Sequence, residues 1–153
     1  MVLIALLFKL VFVGKAFLDL SLSETREINK AIQALRLSDD IVKPGFVPEE
    51  DLVAIYNIAT VFAMPSLYEG FGLPILEAMS CGCPVVASEK GSLQEVAGEV
   101  ALFIDPYSIN SIADGVNKVY QNETLQKQLS ERGFIQAKKF SWKKTSEETM
   151  KTY

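Results

Sequence analysis

The chain alternates short, continuously apolar runs with stretches of helical periodicity, and this alternation restricts its fold more than any other feature. Residues 10–13, a weaker run at Ile41 and Val42, and residues 60–64, 84–88 and 101–104 lack the polar alternation of a half-exposed strand. Runs of that kind suit strands buried on both faces. Between them, residues 49–59 put Leu52, Ile55, Tyr56 and Ala59 on one helical face, and residues 108–120 do the same with Ile112, Val116 and Val119. Strands alternating with helices predict parallel βαβ units, hence an α/β fold with an open, doubly wound, Rossmann-like sheet.

At 153 residues and 49% hydrophobic content the chain has the size of one domain. It divides into an apolar leader over 1–9, sheet and helices over 10–122, and polar C-terminal helices over 123–153 that restart at Ser141 as an N-cap. The apolar stretch 1–13 is interrupted by Lys9 and is shorter than the roughly 20 residues that span a bilayer. No basic region precedes it and no small-residue cleavage site follows, so its second half reads as a buried strand rather than as part of a signal peptide. A net charge of −4 gives no basic footprint for a nucleic acid. The absence of histidine removes Ser-His-Asp and Cys-His machinery and most zinc sites, and no metal ligand set is expected. Cys81 and Cys83 are too close for an ordinary disulfide and read as small buried thiols of a cytoplasmic protein.

In open parallel sheets ligands sit beyond the carboxyl ends of the strands, where loops enter helices. The run 60–64 ends in Pro65-Ser66-Leu67-Tyr68-Glu69-Gly70-Phe71-Gly72-Leu73-Pro74, followed by a helical run over 75–80. Pro74 suits a first helical turn, where its missing N–H costs nothing. Gly70 and Gly72 let a ligand approach the backbone, and the free N–H groups of Phe71, Gly72 and Leu73 would form an anion site with the helix dipole behind them. Glu69 in the loop and Glu77 one turn into the helix can reach the same crevice, and carboxylates are good acceptors for the hydroxyls of a sugar or ribose. Amide donors flanked by two carboxylates match a nucleoside diphosphate sugar.

These residues, with Gly45-Phe46-Val47-Pro48-Glu49-Glu50-Asp51-Leu52, Tyr56-Asn57-Ile58-Ala59, Glu77-Ala78-Met79, Cys81-Gly82-Cys83-Pro84-Val85-Val86-Ala87-Ser88, Gly91-Ser92-Leu93-Gln94-Glu95-Val96 and Asp105-Pro106, closely resemble the group-one glycosyltransferases, family four of the sequence classification. The likeness extends over about residues 10–153. It implies the C-terminal half of a GT-B enzyme, two Rossmann-like domains facing across a cleft, and hexosyl transfer with retention of configuration, without metal or other cofactor. Matching positions make Glu69 the catalytic carboxylate and assign donor sugar and diphosphate to Glu69, Gly70, Phe71, Gly72 and Leu73. Glu77 would take the ribose hydroxyls, and the base would stack beside Phe46, Val47 and Pro48. The acceptor, a glycan or lipid, would belong to an opposite domain that is expected to be absent here, and a full enzyme would sit in the cytoplasm or at the membrane periphery. An Arg and Lys clamp on the diphosphate is also expected to be absent, because the run at 10–14 aligns with the family's second strand and leaves Lys15 a surface residue. An alternative is a non-catalytic nucleotide-sugar-binding module, a gene remnant or a split subunit needing a partner chain. A dehydrogenase is disfavoured because Gly14 is followed by Lys15, Ala16 and Phe17, not by G-x-G-x-x-G, and the same residues exclude a P-loop.

That alignment leaves the middle strand of a 3-2-1-4-5-6 sheet unfilled. Residues 2–8 are the spare apolar segment, joined to the next strand by Lys9 alone, too short for a parallel crossover. An antiparallel turn there lacks Gly, Asn, Asp or Pro. The expectation is therefore that this segment extends the next strand or docks on another copy, and that the chain self-associates through unpaired strand edges or is only marginally folded.

Overall fold

The computed structural model describes residues 2–6 and 9–152, the first five through their backbone. Six strands, β1 (Val2–Leu6), β2 (Lys9–Val13), β3 (Ile41–Gly45), β4 (Val61–Met64), β5 (Val85–Ser88) and β6 (Leu102–Ile104), form one sheet in the order β3-β2-β1-β4-β5-β6. The helices are α1 (Ser23–Ala34), α2 (Glu49–Ile58), α3 (Leu73–Ser80), α4 (Leu93–Ala97), α5 (Ile109–Tyr120), α6 (Glu123–Ala137) and α7 (Trp142–Thr152), with a 3-10 turn at Lys15–Leu18. The α/β architecture, with strands separated by helices, is the one expected, and each apolar run forms a strand.

The sheet is not wholly parallel. β2 pairs with β3, β4 with β5 and β5 with β6 in parallel, but β1 runs antiparallel to both its neighbours, β2 and β4. Three expectations are corrected by this. Residues 2–6 are an interior strand and not a leader; they enter their own sheet antiparallel; and the inner edges of β2 and β4 are paired along β1 instead of lying open. The last of these removes the gap on which self-association was expected. The register Val2↔Val13 to Leu6↔Lys9 leaves two residues between the strands, Leu7 and Phe8, which lie outside the described residues. Two residues suffice for an antiparallel connection whereas a parallel one needs a dozen. Satisfying two otherwise unpaired backbone edges outweighs poor turn composition.

Continuous apolarity in the strands follows from burial on both faces. Phe62 and Met64 of β4 and Val85 and Ala87 of β5 join a cluster with Tyr56 of α2, Ile75, Ala78 and Met79 of α3, and Leu93, Val96 and Ala97 of α4. Val61, Ala63 and Val86 point the other way, into Val119 of α5 and Leu129 of α6. Alternate residues thus serve opposite layers, as the period of two requires. Gln136 of α6, itself buried, donates from Nε2 to the carbonyl of Val96 at 2.9 Å, tying α6 to α4. No helix among the described residues is long and apolar enough to cross a membrane.

Removing residues 1–8 should therefore separate the β2–β3 pair from β4–β6. The shortened chain is expected to give a mass above that of the monomer by light scattering and to lose amide protection across residues 9–13 in hydrogen exchange. A monomer with those amides still protected would mean that β2 closes directly on β4.

Candidate functional site

The carboxyl ends of β2, β3, β4 and β5 lie on one side of the sheet, and the loops that follow them flank the crevice that an open sheet leaves outside its strand ends. β4 delivers the loop 65–72, and α3 starts immediately after it, capped by Gly72 with φ 98° and ψ 41°. Only glycine takes that left-handed conformation without strain. Space demands it as well, since a Cβ there would stand 2.5 Å from Cδ2 of Leu93. Pro74 falls in the first turn, where it removes a donor that helix geometry would leave unpaired. Opposite the helix start, the hydroxyl of Ser92 lies 3.0 Å from the carbonyl oxygens of both Glu69 and Phe71. The loop carrying Glu69, Gly70, Phe71, Gly72 and Leu73 is therefore seated on the residues that lead into α4. Phe71 also meets Phe140 edge to face, with ring centroids 6.1 Å apart.

Glu77 is exposed on α3, one turn beyond the loop, and Tyr56 of α2 donates its hydroxyl to Oε2 of Glu77 at 3.2 Å. Tyr56 is almost wholly buried, packed edge to face on Phe62, so the donor end of this bond is a fixed core residue. Burial, with the Glu77 carboxylate adding to it, pushes the Tyr56 phenol well above its ordinary range, so it remains a proton donor at any physiological pH. The effect is to hold one carboxylate oxygen of Glu77 in place.

Phe46, Val47 and Pro48 occupy the turn between β3 and α2, next to the end of β2. The amide of Gly14 donates to the carbonyl of Gly45 at 2.9 Å, which locks the two strand ends together. Lys15 is exposed, as expected, yet its ammonium lies over the ring of Phe46, 5.1 Å from the centroid, and so borders the same turn. The sequence-assigned residues thus fall on two walls of the crevice, the Phe46 to Pro48 turn and the Glu69 to Glu77 segment, bridged by the Tyr56–Glu77 bond.

Against known proteins, the model of the glycosyl transferases group 1 matches residues 7–136. The chain belongs to that family. It is 46% identical over 109 residues to the O-antigen chain mannosyltransferase B of Escherichia coli, covering 71% of this chain and 29% of the relative. With the MMP alpha-(1->4)-mannosyltransferase of Mycolicibacterium hassiacum it shares 34% identity over 128 residues, 81% of this chain and 31% of the relative. The chain therefore spans under a third of the length of these two curated relatives. Among solved structures, sucrose-phosphate synthase from Thermosynechococcus elongatus superposes with a TM-score of 0.82 at 30% identity, over 94% of this chain and 37% of that one. An Anabaena protein, HepE, solved in complex with UDP, superposes with a TM-score of 0.79 at 22% identity, over 93% of this chain and 39% of that one, a likeness of fold. These glycosyltransferase neighbours share the GT-B architecture expected from the motif.

In this group 1 domain, reading the residues in order did not reveal the work of Tyr56 and Ser92. Tyr56 scans as one more apolar position on a helix face, and Ser92 as a polar residue before a short helix. The only available signal was that a hydroxyl at each position sits among residues that otherwise bury. Cys83 is buried and Cys81 half-buried, both free. Burial chiefly pushes the Cys83 thiol up to about 12 and, with Glu77 nearby, raises that of Cys81, so both behave as the packing thiols the sequence suggested.

Replacing Gly72 by Ala tests the seating of the loop directly. Left-handed strain and the clash with Leu93 are expected to cost about 1–3 kcal/mol of stability in denaturant unfolding. A loss under half of that range would mean that the loop can leave the α4 segment freely.

Proposed function

We propose that the chain is the donor-binding part of a metal-independent, retaining glycosyltransferase and that it holds a nucleoside diphosphate sugar in this crevice. The observation that carries the reading is the segment from Glu69 to Glu77, in which a glycine-capped helix start lies between two carboxylates, one of them held by Tyr56. The amides of Gly70 to Leu73 take the diphosphate, with the positive end of the α3 dipole behind them. Glu77 accepts from the ribose hydroxyls. Glu69 acts on the donor sugar as the catalytic carboxylate, and the base lies against the turn of Phe46, Val47 and Pro48. Support comes from the mannosyltransferase relatives and from the related fold in which UDP was bound.

In this reading catalysis is electrostatic. Amides aimed beforehand at the departing diphosphate stabilise the charge that develops on it, and that kind of preorganisation usually contributes most to a rate. No metal is needed for the step, because fixed donors neutralise the leaving group. The acceptor, a glycan or lipid, is held by the facing domain of a full enzyme. Positioning of that acceptor can account for roughly 7–11 kcal/mol of barrier reduction.

Calorimetric titration of nucleoside diphosphates tests the reading. Glu77→Ala should weaken binding by about 1.5–3 kcal/mol, the scale of a hydrogen bond to a charged group. Equal affinity for the variant and the unaltered chain would remove ribose recognition from Glu77. Binding should persist in chelator; restoration only by manganese would contradict metal independence. The 153 residues alone should transfer no sugar at a measurable rate, and turnover with an added acceptor would place an acceptor site within them.

A further inference from the structure

Ser92 stands just before α4 but does not cap it, since its side chain makes no bond to that helix. Its hydroxyl instead lies 3.0 Å from the carbonyl of Glu69 and 3.0 Å from that of Phe71. One O–H proton is shared between two acceptors two residues apart. The consequence lies on the other side of those peptides. No peptide bond among the described residues is cis, and in a planar trans peptide the N–H points opposite to the C=O. Turning the carbonyls of Glu69 and Phe71 toward Ser92 therefore turns the amides of Gly70 and Gly72 away from it. The loop is open at Gly70, where an added Cβ would meet nothing within 4 Å.

The flanking residues fix where this hydroxyl stands. Gly91 lies against the same loop, so closely that a Cβ there would be 3.4 Å from the carbonyl oxygen of Glu69. Leu93, on the other side, fills the space that a side chain at Gly72 would need. Residues 91, 92 and 93 thus approach the loop at three successive places, and Ser92 contributes directional bonds to it. Leu93 and Val96 are buried in the core, so the template does not move with the loop it shapes.

We propose that Ser92 is a positioning residue for donor binding, which aims the amides of Gly70 and Gly72 at the diphosphate by holding the two intervening carbonyls back. This rests on the donor reading given above. Ser92 touches no part of the donor; it acts through the orientation of two peptide planes. Its loss should therefore weaken recognition of the diphosphate while leaving the ribose and base contacts alone.

The test uses uridine, guanosine and their diphosphates, titrated into the 15N-labelled chain. Ser92→Ala is expected to lower the preference for diphosphate over parent nucleoside about tenfold, the effect of one lost directional hydrogen bond. Ser92→Thr, which keeps the hydroxyl, should restore the preference, and Glu77→Ala should weaken nucleoside and diphosphate alike. An unchanged preference in a folded Ser92→Ala variant would overturn the proposal while a weakened Glu77→Ala variant left the donor reading intact. Should Ser92→Ala fail to fold, the unaltered chain decides: the amide resonances of Gly70 and Gly72 must shift on addition of the diphosphate, and their staying fixed while others move sinks the proposal. Failure of either diphosphate to bind the unaltered chain would remove the donor reading and this inference together.

Discussion

Backbone pairing in the middle of the sheet is the constraint on which the rest of the structure depends. β2 and β4 each have one edge satisfied by a parallel neighbour, and the edge left over on each is satisfied along β1. Without a strand in that slot, β2, β3 and α1 would be held to the larger half mainly by one face of β2, where Val11 and Val13 meet the cluster around β4 and β5, because Phe12, Phe17 and Ile32 form a small cluster of their own. The turn between β2 and α1 and the turn after β3 would then have no fixed relation to the loop after β4. The crevice exists because the sheet is continuous.

On that continuous floor, the loop after β4 takes its shape from what lies beneath and beside it more than from its own residues. Gly72 is left-handed, Leu93 fills the space a side chain would need, and Ser92 draws in two carbonyls. Tyr56 performs a comparable service one turn later, presenting Glu77 from a core position. Two hydroxyls, one on the buried Tyr56 and one on the half-buried Ser92, thus contact a stretch of chain that is itself largely exposed. The cost of flexibility that an exposed glycine loop would otherwise carry is met by neighbours that cannot move.

Much of this was legible in the residues. The runs at 60–64 and 84–88 announce strands buried twice over, and their alternate residues do divide between two clusters. The glycines, Pro74 and the two glutamates announce the helix entry, because each answers a local backbone demand visible in sequence. What escaped is what depends on distant partners. The seat of Phe71 on Phe140 joins residues far apart in the chain, as do the bonds from Ser92 to Glu69 and from Tyr56 to Glu77. The strand at 2–6 escaped for a different reason: the poor turn residues before β2 weigh against an antiparallel entry, and in the fold the two open edges that need a partner outweigh them.

The reversed direction of β1 also alters the make-up of the crevice rim. Each parallel strand ends there and hands the chain to a loop bound for a helix or a 3-10 turn, but β1 only begins there, with Val2 opposite Val13. Halfway along the rim, between the loop at Gly14 and the loop at Glu69, no helix entry contributes its amides. The donors and charges on either side of that interruption are consequently unlike, the start of α3 on one side and the ammonium of Lys15 over Phe46 on the other. An elongated anion lying along this rim would be gripped at one end and merely bordered at the other.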